Sequence, residues 1–127
     1  MKKQLDSVKR FHETYKLSYN INPIADLGSV KNKLRFDLMA EENNEYINAA
    51  NNNDIIEVAD ALGDMLYILC GTIIEHGMQD IIEPIFDEIQ KSNMSKLGLD
   101  GNPIFRDDGK VLKGPNYIKP NFDKFFK

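Results

Sequence analysis

The stretch AEENNEYINAANNNDIIEVADALGD, Ala40 to Asp64, constrains this chain more than any other. It lies inside a block, Phe36 to Gln90, without a single Lys or Arg, although the chain has sixteen of them. Apolar residues recur through the block at helical spacing, and so do carboxylates. At about 100° per residue, Glu45 falls about 40° from Glu41 and Glu42 about 100° from it. Val30, Leu34, Leu38 and Ala49 lie within or beside the same arc, so the glutamates continue an apolar stripe. On the next segment Asp60 and Asp64 lie within about 60° of Glu57. Almost everything else there is apolar, including Ile55, Ile56, Val58, Leu62, Met65, Leu66, Ile68 and Leu69. A helix that is apolar nearly all round is expected to be buried, and its acidic stripe then faces something special.

Magnitudes limit what that can be. An unpaired charge moved into a protein interior costs several kcal/mol even after relaxation, against a whole-domain stability of about 5–15 kcal/mol. Five or six bare carboxylates cannot face one another dry, and the block from Phe36 to Gln90 that holds them carries no Lys or Arg to pair them. They face solvent, or they are partly protonated, or a hard divalent cation sits among them. Oxygen ligands at i and i+3 on two facing helices can build an octahedral Mg²⁺ site that keeps several waters. A carboxylate-bridged di-iron bundle needs Glu-x-x-His on two helices, and neither His12 nor His76 follows a Glu by three. An EF-hand fails as well, because Asp100-Gly101-Asn102-Pro103 puts proline where the loop must bend.

The rest of the chain frames these stripes. Leu5, Val8, Phe11, Tyr15 and Tyr19 predict a first amphipathic helix over residues ~3–19. Ile21 to Gly28 reads as a loop, with Pro23 and Gly28 as breakers. Ser29 is the expected N-cap of a helix from ~30 to ~51, which the run Asn51 to Asp54 breaks. Asn53 or Asp54 caps a third helix from ~55 to ~76, and Gly77 suits its C′ position. A fourth helix runs from Asp80 to ~97, tolerates Pro84 early, and closes at Gly98. Four helices with short connections predict an all-α, antiparallel four-helix bundle over residues 1–98. Residues 99–127 form a Gly- and Pro-rich tail, in which Ile104 to Arg106 and Lys110 to Leu112 flank a hairpin turn at Asp107-Asp108-Gly109. An isolated hairpin is marginal in water, so the tail must pack on something, and Phe122, Phe125 and Phe126 suit docking. At 127 residues the whole is expected to be one domain with its own core.

Composition removes several classes. Hydrophobic residues make up 42% and charged residues 28%, as in ordinary globular proteins. No apolar run is long enough to span a bilayer, and the N-terminal basic residues are not followed by the apolar core of a secretory signal. The net charge of −4, with an acidic middle and basic flanks, argues against a nucleic acid polymer as partner. The lone Cys70 excludes an internal disulfide, is expected to be buried, and is in keeping with the cytoplasm. His12 is expected on the surface of the first helix.

Glu41-Glu42-x-x-Glu45 followed by Glu57-x-x-Asp60 resembles the ExxE…ExxD signature of the all-α NTP pyrophosphatase superfamily. That superfamily includes the MazG-like enzymes, dimeric dUTPases and phosphoribosyl-ATP pyrophosphohydrolases. FHETYKL, Ala59 to Gly77, KSNMSKLG (Lys91 to Gly98) and DGKVLKGPNY (Asp108 to Tyr117) are similar to small stand-alone members near the phosphoribosyl-ATP type. Two departures are the gap of eleven residues between Glu45 and Glu57, and Ala61 where MazG proper carries Glu. The second makes Glu57 and Asp60 the choice for the ExxD pair.

The resemblance implies Mg²⁺-dependent (or Mn²⁺-dependent) cleavage of a nucleoside triphosphate or related nucleotide between its α- and β-phosphates, giving monophosphate and pyrophosphate. Glu42, Glu45, Glu57 and Asp60 are then expected metal ligands, with Asp64 an outer ligand or a partner of one. Glu41 is the expected base. An all-carboxylate site repels anionic phosphates unless metals reverse its charge, and metals also acidify a bound water. Phosphates need donors too, and Asn93, Lys96, Lys110 and Lys113 are the expected ones. Tyr67 and Tyr117 could stack on a base; Asn44 and Asn48 are ambiguous. Four helices with an acidic stripe do not easily close a nucleotide pocket alone, so a homodimer or a dimer of dimers is expected. The alternative is a non-catalytic helical module that binds a metal or nucleotide, which has no need of the basic SNMSK and GKVLKG segments.

Overall fold

The computed structural model describes every residue from Met1 to Lys127. Four helices and no strand make the chain all-α, the class that the periodicity predicts: α1 (Lys2–Thr14), α2 (Ser29–Asn51), α3 (Ile55–Glu75) and α4 (Ile82–Met94). A single 3₁₀ turn, Asp123–Phe125, lies near the C-terminus. No helix is long and apolar enough to cross a membrane. The chain divides into two compact units, Met1–Asp80 and Ile81–Lys127.

In the first unit α1 and α2 both pack on α3. Leu5 and Val8 of α1, Ala49 of α2, and Ala61, Cys70, Ile73 and Ile74 of α3 are its buried apolar residues. Cys70 is fully buried, as the apolar run around it predicts. The α2–α3 turn is short because Asn53 adopts φ 55°, a left-handed conformation that Asn tolerates better than most residues. Asp54 then caps α3, its side chain accepting from the Glu57 backbone N–H at 3.1 Å, which satisfies one of the helix's free donors.

Several local expectations change. α1 ends at Thr14 rather than near Tyr19, because Lys16 turns into a left-handed conformation, φ 58°. The α2 cap is not the Ser29 hydroxyl: the N-cap residue is Gly28, with no side-chain capping bond. Instead Asp26 accepts from the Gly28 N–H and from the Asn32 amide, both at 2.8 Å, and Asn32 accepts from Leu27 N–H at 3.0 Å. α4 is shorter than expected at both ends.

The segment between α1 and α2 is stitched to the C-terminal end of α3. Asn20 N–H donates to Ile74 O and Ile24 N–H to His76 O, each at 3.0 Å. The Asn20 amide donates to Glu75 O at 2.6 Å, and the Gln79 amide donates to Asn20 O at 2.9 Å. Gly77, φ 68°, ends α3 beneath this segment, as expected for a C′ glycine.

In the second unit the tail returns along α4. Glu88 accepts from Asn121 N–H at 3.0 Å and pairs with Lys124 at 2.9 Å. Ser95 Oγ accepts from Ile118 N–H at 2.8 Å. The hairpin segment folds back with one antiparallel bridge, Phe105 to Val111, and bonds from Arg106 N–H to Lys110 O and Leu112 N–H to Ile104 O, both 2.7 Å.

One expectation fails clearly. α3 is not buried all round: Ile55 and Ile56 are each 76% exposed, and Leu62, Leu66 and Leu69 are exposed as well. Val30 and Leu34 on the α2 stripe are exposed too. One chain supplies too few elements to cover two long helices on every apolar face.

Candidate functional site

The turn that joins α2 to α3 also places their carboxylates together. Glu45, Glu57 and Asp60 line one open cleft, along with Asn48, Asn52 and Asp54. The cleft encloses about 500 Å³. Glu42 sits one turn back from Glu45 on α2 and is hydrogen-bonded to it. Asp64 and Glu41 are near enough to act on Glu42 by charge. The two predicted stripes therefore meet, which the angular argument requires.

Glu42 carries the strain of that meeting. One of its carboxylate oxygens is sealed from solvent and has no hydrogen-bond partner, although the side chain as a whole is only half-buried. Its pKa is pushed up to about 7. Desolvation is the largest cause, followed by the bond to Glu45 and the charges of Glu45, Asp64 and Glu41. A carboxyl in such surroundings holds its proton or takes a cation. Glu41, Glu45, Glu57, Asp60 and Asp64 are all exposed, and no three acidic or histidine side chains stand close enough together, as arranged, to hold an ion. The donor set is oxygen only and suits a hard divalent cation; the orphaned Glu42 oxygen is the one already turned away from water.

The basic candidates lie on the second unit. Gly114 N–H donates to Lys96 O at 2.8 Å, which draws the SNMSK and GKVLKG segments together. A Cβ on Gly114 would stand 2.1 Å from Leu97 O, so only glycine permits this approach. Lys113 places its ammonium 4.8 Å from the Tyr117 ring centre. Asn93 lies one turn before Lys96 and is exposed, as is Lys110 at the hairpin.

Four residues have roles that the sequence pattern did not reveal. Asp54 and Asn52 line the cleft, and the Asn51-Asn52-Asn53-Asp54 run marked only a turn. His12, expected at the surface, is 2% exposed. The α1–α2 segment covers it, and its Nδ1 lies 3.0 Å from Ser18 O. Beside it Arg35, the last cation before the acidic block, is buried, with Nη2 donating to Ile68 O at 2.7 Å and Nε to Thr72 Oγ1 at 3.0 Å. Burial lowers the Arg35 pKa and the charge of buried Glu75 opposes that shift. Glu75 itself faces Lys31 at 3.2 Å and His12 at 3.9 Å.

Fold and cleft together define an all-helical protein that gathers carboxylates at a helical hairpin. Residues 8–93 match the sequence model described as phosphoribosyl-ATP pyrophosphohydrolase (PRA-PH), and the chain belongs to that family. The match covers every acidic candidate and Asn93; Lys96, Lys110 and Lys113 lie beyond it. The family is named for the removal of pyrophosphate from a nucleotide. The chain is also similar to "Uncharacterized protein L479" of Acanthamoeba polyphaga mimivirus, at 49% identity over 39 residues. That stretch is 31% of this chain and only 16% of the viral protein.

Proposed function

We propose that the chain is a divalent-metal-dependent nucleotide pyrophosphohydrolase, which cleaves a nucleoside triphosphate or related nucleotide between the α- and β-phosphates. The observation that carries this reading is Glu42: a carboxyl held half-buried among Glu41, Glu45 and Asp64, with an oxygen that nothing in the chain satisfies. Keeping such a group is costly unless it has a use. Glu42, Glu45, Glu57 and Asp60 would hold Mg²⁺ or Mn²⁺, with Asp64 as an outer ligand or as the partner of one. Bound there, the cation would reverse the local charge, polarise the phosphoryl group and acidify a bound water.

The chain's own groups do the rest. Glu41 is exposed next to the ligands and accepts the proton of the attacking water. Asn48 and Asn52, which line the cleft, offer neutral donors to phosphoryl oxygens. On the second unit Asn93, Lys96, Lys110 and Lys113 are the candidate phosphate donors, Asn93 through a neutral amide and the lysines through charge. The uncovered apolar surfaces of α2 and α3 fit a homodimer or a dimer of dimers, because patches of this kind are rarely left open in monomers. The cytoplasm suits a chain that handles soluble nucleotides and has a lone buried cysteine.

The test is incubation with ribo- and deoxynucleoside triphosphates and phosphoribosyl-ATP in Mg²⁺, reading pyrophosphate. Wild type releases it from at least one substrate and Glu45→Ala does not. Equal traces from both proteins would remove the enzymatic reading.

A further inference from the structure

A second cavity lies one helical turn from the carboxylates, and the chemistry proposed above leaves it unused. It encloses about 240 Å³ within the first unit. Leu38 of α2 and Ile68 of α3 form its floor. Phe11 and Tyr67 meet edge to face, ring centres 5.6 Å apart at 88°, and make an L-shaped wall. Phe11 and Tyr67 are 39% and 42% exposed, so this wall of the slot lies at the protein surface. At the back, Gly71 leaves room that Arg35 and His12 occupy: a Cβ there would stand 2.6 Å from Arg35 Nη2 and 3.2 Å from His12 Nε2.

The position is as informative as the lining. Leu38 precedes Glu42 by four residues, and Ile68 follows Asp64 by four. At 1.5 Å per residue the slot therefore begins about 6 Å along both helices from Glu42 and Asp64, the carboxylates nearest to it. One sugar spans that gap. The lining is almost wholly apolar, which suits the faces of a flat ring. The polar atoms come only at the back edge, where Arg35, whose Nε and Nη2 already donate to Thr72 Oγ1 and Ile68 O, keeps only its remaining N–H groups as donors and has no acceptor.

We infer that this slot holds the nucleobase of the substrate, with the Phe11–Tyr67 wall taking its face and Arg35 and His12 meeting its edge. The inference rests on the nucleotide reading of the carboxylate cleft, but its test does not depend on turnover. Aromatic contacts of this kind accept any base face, whereas the fixed donors of Arg35 favour bases that present a carbonyl or ring nitrogen at that edge.

Nucleoside 5′-monophosphates are titrated into ¹⁵N-labelled protein without metal. The amides of Leu38, Tyr67 and Gly71 shift and saturate, and ribose 5-phosphate, which has no base, leaves them unmoved. If no nucleotide moves these amides at millimolar concentration, or ribose 5-phosphate moves them equally, the slot is not a base site. A side chain from a second copy filling the slot would give the first of those results. A kinetic arm uses Leu38→Phe, which fills the floor. It raises KM for a turned-over nucleotide by about tenfold or more and leaves KM for inorganic triphosphate within about twofold. Equal effects on both substrates, or none on either, would overturn the assignment. Tyr67→Ala repeats this arm at an exposed ring if the added phenyl impairs folding. Base-dependent amide shifts in a protein that releases no pyrophosphate would keep the slot and sink the catalytic reading; the converse would do the reverse.

Discussion

Gly77→Ala should destabilise the first unit by far more than a surface substitution does. Two separate costs add. Gly77 has φ 68°, and a residue with a Cβ held in the left-handed region pays about 1–2 kcal/mol. The new Cβ would also stand 2.1 Å from Asn22 O and 2.5 Å from Asn22 C. Those are backbone atoms, so the segment between α1 and α2 must withdraw. That loosens the bonds from Asn20 N–H to Ile74 O and from Ile24 N–H to His76 O, both 3.0 Å. At about 0.5–1.5 kcal/mol each, their loss adds about 1–3 kcal/mol. The sum, about 2–5 kcal/mol, is a large share of a typical domain's stability of about 5–15 kcal/mol. Urea denaturation followed by helical circular dichroism measures it directly. With m near about 1–3 kcal/mol/M, the midpoint falls by on the order of 1 M or more. Native-state hydrogen exchange locates the damage: the Asn20 and Ile24 amides lose protection before the α2 amides do. A loss below about 1 kcal/mol, smaller than the conformational cost alone, would refute the reasoning. So would unchanged protection at Asn20 and Ile24.

Other expectations follow from single features. Glu42 has its pKa raised to about 7 from 4.5, so between those values the native state binds more protons than the unfolded chain. Metal-free protein is therefore stabilised as pH falls from 7 towards 4.5 and loses that stability as pH rises through 7. Urea curves in chelator show a slope that Glu42→Gln flattens; identical slopes in the two proteins would contradict the assignment. Cys70 is fully buried and burial raises its thiol pKa, so thiol reagents label it only as fast as the protein opens. Immediate labelling of the native protein would be inconsistent with this burial. Sedimentation should show an oligomer at micromolar concentration, and Ile56→Lys on the open face of α3 should shift it towards monomer. A wild type that is monomeric throughout would remove the dimer.

The helix order was readable because its signals are local. Apolar spacing, the Asp54 cap, the Asn53 turn and the C′ Gly77 each act within a few residues, and the structure keeps them. The meeting of Glu45 with Glu57 and Asp60 around one cleft was readable for a related reason: a turn this short leaves α2 and α3 little choice of partner. Features that depend on distant parts of the chain were not readable. His12 looks like a surface residue within α1, and only the return of the α1–α2 segment to the end of α3 buries it. Arg35 looks like one basic residue among many, yet Gly71, thirty-six positions on, makes the space it enters. The apolar surround of α3 predicted a burial that this chain does not provide: Ile55 and Ile56 remain open. Hydrophobic pattern reports that a face must be covered, never by which molecule.

The α2–α3 carboxylates should direct cleavage to the bond between the α- and β-phosphates. Phosphorus-31 NMR of a turned-over nucleoside triphosphate tests it most directly, because it resolves every product at once. With Mg²⁺, wild type should give monophosphate and pyrophosphate in equal amounts, and Asp60→Asn neither at unchanged melting temperature. Release of diphosphate and inorganic phosphate, or undiminished turnover by Asp60→Asn, would contradict it.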